Sequence, residues 1–491
     1  MIKNKVKDYI ILIGISIVAL LLFSISTSPL YKGFYIDDSA IFISIARSLL
    51  DGKILFKDIF DHKGPVLFGI QVIGQIISEG RNGMFLIQII SLITSMIFIY
   101  KTLNLIGKNR KNISAILLGL VFFIFTMEEG NSSEELSLPL IAICFYLFFK
   151  WIKSNDWKEK IPVFNTIIYG MFFAIITMMK LTNAIGIAAL ILGITVILLK
   201  EKKYNEILKH GFYFLLSIGV IFIPICFYFY KNNALNDMIY TTFTHNFMYI
   251  KNATEQGMLI NKILYCVPGI IATIGAVLYR KENKEISLIM IIVNIISMLF
   301  LCIGRGLQHY YLVLVPNIII GIYMIFEEVK FDLSKFEKII IIFSCVILAI
   351  AFLYHKIWYN VLLLNNLEDL KYTKLNKILE NKKENTAMIC CPAEAYMFAN
   401  VIPNYKYSFT QDNSIMSNKE IENEIINDIK NKKLDCIVVG KEYFEIDVMK
   451  DVKESLESNY NKKESYKQKI INLRGNSWVI EFVEIMVYEP K

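Results

Sequence analysis

FYIDDSAIFISIARSLLDGKILFKDIFDHKGP, residues 34 to 65, sets two adjacent aspartates, a short amphipathic helix and a Lys-Gly-Pro turn between the first two apolar runs of the chain. Around it the 491 residues are 55% hydrophobic and 13% aromatic, with a mean hydropathy of +0.48. A soluble globular protein of this length is usually less apolar and more charged. The apolar residues come in runs long enough to cross a bilayer, so the chain is expected to be a polytopic α-helical membrane protein. Its first run, Ile10 to Ser28, follows Lys3, Lys5 and Lys7 as a signal peptide would. It lacks a small-x-small cleavage site, so it is expected to remain as a helix.

Expected spans are 9–29, 83–104, 113–127, 136–152, 161–179, 183–199, 212–230, 263–279, 286–303, 311–327 and 338–355, about eleven in all. The third and fourth are short for a core of about 30 Å and are expected to be partly sheltered by protein. Basic residues cluster in alternate connectors: Lys108 to Lys111, Lys150 to Lys160, Lys200 to Lys209, Arg280 to Lys284 and Lys330 to Lys338. The short connectors between carry almost none: no base in 127–135, Lys180 alone and Arg305 alone. The positive-inside rule then places the N-terminus in the cytoplasm. An odd number of spans leaves the C-terminal tail, and the loop 30–82, outside. The net charge of +8 gives no argument for nucleic acid, because it is concentrated in those loops.

Past residue 355 the composition changes. Short apolar strands (387–391, 435–439, 479–487) alternate with helical stretches (393–402, 418–433). Residues 1–355 are thus expected to form the transmembrane part, and 356–491 a small extracytoplasmic α/β domain with a partly parallel sheet. Of the eight cysteines, Cys144, Cys226, Cys266, Cys302 and Cys345 lie in apolar runs, where cysteine is usually a packing residue. Cys390, Cys391 and Cys436 fall in the tail, which leaves open a disulfide between Cys436 and one of the vicinal pair. No metal-type CxxC pair, HExxH, Walker loop or GxSxG occurs.

The polar chemistry gathers at the outer ends of the expected spans. Asp37 and Asp38 precede Ser39, a fair N-cap. Ile41, Phe42, Ile45 and Leu49 then share one face, and Ser44, Arg47, Ser48 and Asp51 the other, up to Gly52. That pattern predicts a helix lying in the membrane interface with carboxylates at its positive end. Capping accounts for one aspartate well and for two poorly. Lys63, beside the turn at Pro65, suits a phosphate head group, although snorkelling also explains a lysine there.

Glu128-Glu129-Gly-Asn131-Ser-Ser-Glu134-Glu135 puts four carboxylates in eight residues. It is either a solvated acidic turn or the wall of a site that binds acceptor hydroxyls or a divalent cation through oxygen ligands. Asp37, Asp38, Glu128 and Glu129 are the candidate ligands if a metal is bound; no cofactor is otherwise indicated. Lys180 stands alone after the fifth span, and Arg305 precedes Gln308-His309-Tyr310-Tyr311 after the ninth. Single bases away from the positive side call for an anionic partner or snorkelling; Arg305, with His309 and Tyr310 nearby, favours the partner.

A DD pair after the first span, an interface helix ending in glycine, a K-G-P turn and an acidic second loop together resemble the GT-C superfamily. More narrowly they are similar to the bacterial glycosyltransferase family 39 group, with its RgtA/B/C/D-like domain and its aminoarabinose-transferase and protein O-mannosyltransferase relatives. The resemblance covers about residues 1–355, and is strongest in 34–65, fair in 128–139 and weaker in 305–316. Asp38 stands where relatives often have Glu, and Gly64 where they often have Pro.

The resemblance implies a polyprenyl-phosphate sugar donor, a membrane or envelope acceptor (glycan, lipid or protein) and inverting transfer on the outer face of a bacterial cell membrane. By it Asp37 falls at the catalytic aspartate, with Asp38 its neighbour. Elementary chemistry agrees: a carboxylate can take the acceptor's proton, and Lys63 and Arg305 can hold the phosphate leaving group. Lys180, His309, Tyr310, Asn131, Glu134 and Glu135 complete the expected binding set. A lipid-linked glycan ligase or polymerase would rest on a large late outer loop instead. A transporter or flippase would carry its charges near the midplane, often with inverted repeats.

Overall fold

The computed structural model describes residues 2–31, 37–107, 112–154, 157–158, 160–246, 259–303, 306–329, 338–351, 354, 372–379, 386–409, 418–444, 449–474 and 477–491. The apolar runs form helices, the conformation that pairs every backbone group within one segment where lipid offers none. In chain order they are α1 (Ile2–Phe23), α2 (Asp37–Leu50), α3 (Pro65–Ile77), α4 (Asn82–Ile106), α5 (Asn112–Met127) and α6 (Ser133–Ile152). There follow α7 (Val163–Thr177), α8 (Ile185–Lys200), α9 (Tyr204–Lys231), α10 (Leu235–Ile239), α11 (Leu259–Leu278), α12 (Lys284–Cys302), α13 (Val315–Glu328) and α14 (Lys338–Ala351).

Among the described residues eight helices are long and apolar enough to cross a bilayer, the last preceded by a 3-10 segment, Gln308–Leu314. Three of the eleven expected spans correspond to shorter helices, α5, α7 and α14. α3 is a further short apolar helix that the span count passed over. α9 turns Leu208, Phe212, Leu215 and Ile223 outward, the composition of a lipid-facing surface. α11 and α13 instead approach closely through small residues: a Cβ on Gly321 would lie 2.4 Å from Ala272 Cα.

α2 departs from the expectation twice. It begins at Asp37, so Ser39 is inside the helix and does not cap it. Much of its polar face is also out of water: Ser44 and Ser48 are fully buried, while Asp51 is exposed. The Ser48 hydroxyl donates to the Pro403 carbonyl at 2.6 Å, and the Arg47 guanidinium to Asn400 Oδ1 at 2.9 Å. The helix is sandwiched between the bundle and the C-terminal domain. Periodicity reveals an apolar face, but not which distant segment covers the other.

That domain carries a four-stranded sheet of β1 (Thr386–Ile389), β2 (Cys436–Gly440), β3 (Tyr460–Arg474) and β4 (Ser477–Pro490), in the order β1-β2-β4-β3. β1 and β2 are parallel, with Ala387 opposite Ile437, and the other pairs are antiparallel. β3 was not expected, because its lysines (Lys462, Lys463, Lys467, Lys469) hide the alternation. It is an edge strand, where lysine discourages pairing with another chain. Register also closes the disulfide question. Cys436 pairs with Thr386, whereas Cys390 lies beyond Ile389, which pairs with Val439. Four residues at about 3.3 Å each separate the two ends, too far for a bridge, and none of the eight cysteines is in a disulfide.

Candidate active site

Four connections meet at one end of the bundle to enclose a cleft of about 220 Å³, lined among others by Asp38, His62, Lys63, Glu128, Lys180 and His309. The turn before α3 is fixed by its backbone. The Lys63 N–H donates to Asp61 Oδ1 at 2.8 Å. The N–H groups of Gly64 and Val66 donate to the carbonyls of Met179 and Met178 at 2.9 and 3.0 Å. A Cβ on Gly64 would sit 2.1 Å from the Met178 oxygen, so glycine is required for this approach. Pro65 then opens α3, where its missing N–H costs nothing.

The acidic loop is equally constrained. Glu128, Gly130 and Asn131 all have positive φ, and the Ser26 N–H donates to the Glu129 carbonyl at 3.0 Å. α6 starts in a capping box: the Glu135 N–H donates to Ser132 Oγ at 3.3 Å, and the Ser132 N–H to Glu135 Oε2 at 2.8 Å. The Gln88 amide also donates to the Glu135 carboxylate, at 3.1 Å. Glu135, expected among the binding residues, is therefore turned away from the cleft and occupied in starting a helix. The Asn131 side chain is likewise engaged, donating to Ser39 Oγ at 2.9 Å and accepting from Gln71 at 2.8 Å.

Three acid–base pairs stand around the cleft. Lys63 Nζ lies 3.4 Å from Asp38 Oδ2, Lys180 Nζ 2.6 Å from Glu134 Oε1, and His309 Nδ1 2.8 Å from Glu128 Oε2. The Lys180 ammonium also sits 3.7 Å from the centre of the Tyr310 ring, and Lys63 lies 4.8 Å from that of Phe42. Asp38 keeps 51% of its side chain accessible, whereas Lys63 keeps 7%. Desolvation opposes the Asp38 carboxylate, yet the field of Lys63, with His309, His62 and Lys180, outweighs it and lowers its pKa to about 2. Burial likewise works against the Lys63 ammonium, and Asp38 and Asp61 reverse that and raise its pKa. His62 is held neutral, first by burial and then by Lys63 beside it.

Of the expected residues, Asp38, Lys63, Lys180, His309 and Tyr310 line the cleft, together with Glu128, Glu129 and Asn131. Glu134 reaches it through Lys180. Asp37 is the first residue of α2, but its side chain lies outside the described residues, as does Arg305. Among the described residues no three His, Cys, Asp or Glu side chains converge as metal ligands would. His62 was missed; its only sequence signal was its place beside Lys63 in the turn.

Residues 1–367 match the family described as "Putative competence-induced protein Ccs4 N-terminal domain". No curated protein sequence matches the chain. Among solved structures it is similar to ArnT from Cupriavidus metallidurans bound to undecaprenyl phosphate, at 11% identity and a TM-score of 0.58, over 97% of each chain. It is similar also to the apo state of that protein, at 11% identity and a TM-score of 0.61, over 99% of this chain and 98% of the other. At such identity the likeness concerns the fold alone, which is that of the ArnT structures.

Proposed function

The chain belongs to the Ccs4 N-terminal domain family, and on that premise we propose that it is an integral membrane glycosyltransferase moving a sugar from a polyprenyl-phosphate donor to an acceptor hydroxyl, with inversion. The observation that carries this reading is the buried Lys63 held against Asp38 in a cleft at one end of an apolar bundle. A lysine there matches a lipid-borne phosphate, the group named for the similar ArnT structure.

In the proposed step the acceptor oxygen attacks the anomeric carbon from the face opposite the leaving group. A C–O bond forms as the bond to the phosphate oxygen breaks, and the acceptor proton passes to Asp37. The departing polyprenyl phosphate keeps the electron pair. Its growing charge is met by Lys63, with Arg305 and Lys180 as further cations. Asp38 suits a different task from Asp37, because a carboxylate of so low a pKa is a weak base but a good holder of Lys63. Glu128, His309 and Tyr310 line the same cleft and would meet the acceptor.

The distribution of basic loops supports a cytoplasmic N-terminus in a bacterial cell membrane, with the cleft and the tail outside. The division into 1–355 and 356–491 belongs to the same proposal. The test is transfer of radiolabelled sugar from a polyprenyl-phosphate donor in membranes with and without the protein. Label reaching an acceptor only when the protein is present supports the reading; equal label in both ends it.

A further inference from the structure

We infer that the C-terminal domain sets the position of Lys63 in the cleft, acting through Phe60 and Asn246 as positioning residues. Phe60 belongs by sequence to the loop between α2 and α3, yet it is part of the apolar core of the C-terminal domain. Its side chain is 5% exposed. Its ring lies 5.8 Å from that of Tyr407, and its N–H donates to the Lys406 carbonyl at 2.7 Å. Three residues later comes Lys63.

A second arm reaches the same turn. Beyond α10 the chain winds into a π-helical turn, Tyr240–Thr244, a rare conformation found often at functional sites. Tyr240 at its start is hydrogen-bonded by Asn418 of the C-terminal domain. Asn246 at its end donates to the His62 carbonyl at 2.7 Å. His245, 1% exposed, fills the space between, edge-on to Phe60 at 5.4 Å and 6.4 Å from the His62 ring. The domain thus grips the cleft turn on both sides, directly at Phe60 and through the π turn at His62.

A lysine on a four-carbon stem is a useful phosphate ligand only if its backbone is fixed, and a misplacement of about 1 Å can cost ~10²-fold. The inference rests on the donor reading, so its test begins with binding. Full-length protein is purified in detergent as wild type, Phe60→Ala, Phe60→Leu, Asn246→Ala, Lys63→Ala and Phe60→Ala/Lys63→Ala. Undecaprenyl phosphate binding and melting are measured for each.

Wild type should bind the lipid. Asn246→Ala should weaken binding roughly 10-fold or more with melting little changed. Phe60→Ala should weaken it as much while also lowering melting, because a buried ring is lost, and Phe60→Leu should restore most of both. In the Lys63→Ala background the loss from Phe60→Ala should vanish, because both changes remove one interaction. Failure of the wild type to bind would undo the donor reading beneath. Wild-type binding with Phe60→Ala equal to it would overturn the inference. So would losses that add to those of Lys63→Ala, or an Asn246→Ala protein that binds as the wild type does.

Discussion

The Lys63 ammonium stands 3.4 Å from the Asp38 carboxylate, and each holds the other charged against the desolvation each meets in the cleft. The signs give the pH window. The Asp38 pKa is lowered to about 2, so its contribution is present above the ordinary carboxylate pKa and is lost as pH falls toward 2. The Lys63 pKa is raised, so its contribution is present below the ordinary lysine pKa and is lost only at higher pH. The pair is therefore intact from about pH 5 to pH 9. In Asp38→Asn the desolvation of Lys63 loses its main opponent and the lysine pKa should fall. Donor KM, flat across that range in the wild type, should rise on the alkaline side in the variant. Superimposable profiles would show that the pair does not govern donor binding.

Glu135 should matter to stability more than to chemistry. Glu135→Ala removes half of a capping box and one of the two acceptors of the Gln88 amide, which keeps Ser24 Oγ, a loss of about 1–2 kcal/mol by the usual cost of a cap. Glu135→Gln, which keeps an acceptor for the Ser132 N–H, should lose less. Thermal unfolding in detergent checks the order; equal melting for all three proteins would contradict it.

The capping box shows what the sequence offered and what it hid. Ser132-x-x-Glu135 is itself the box pattern, but within a run of four carboxylates it reads equally well as part of a site wall. The opening loop was legible because aspartates, helix and Lys-Gly-Pro turn act locally. The rest of the site was not, because Phe60, His62 and Asn246 acquire their roles from segments nearly 200 residues away or more. β3 escaped for a different reason: an edge strand needs one buried face and spends its other positions on lysine.

Arg305 should serve the lipid phosphate. Arg305→Ala should weaken donor use, and Arg305→Lys should recover only part of it, since the planar two-pronged donor is lost. Donor kinetics of the two variants decide it, and activity of Arg305→Ala equal to wild type removes the residue from the site.

The tail should face outward. Ser458 is exposed in the C-terminal domain, so Ser458→Cys, with Cys302 and Cys345 replaced by serine, gives an accessible thiol. A membrane-impermeant maleimide should label it in intact cells. Labelling only after lysis would place the domain, and the cleft with it, on the other side.

The most direct measurement of the central claim is the turnover of Asp37→Asn, because asparagine keeps the size and one acceptor oxygen but takes no proton at neutral pH. The purified variant should melt close to wild type and bind undecaprenyl phosphate, while transfer from the sugar donor falls by roughly 10²–10⁴; Asp38→Asn should lose less in turnover and more in donor affinity. A folded Asp37→Asn protein that transfers sugar at nearly the wild-type rate would contradict the mechanism.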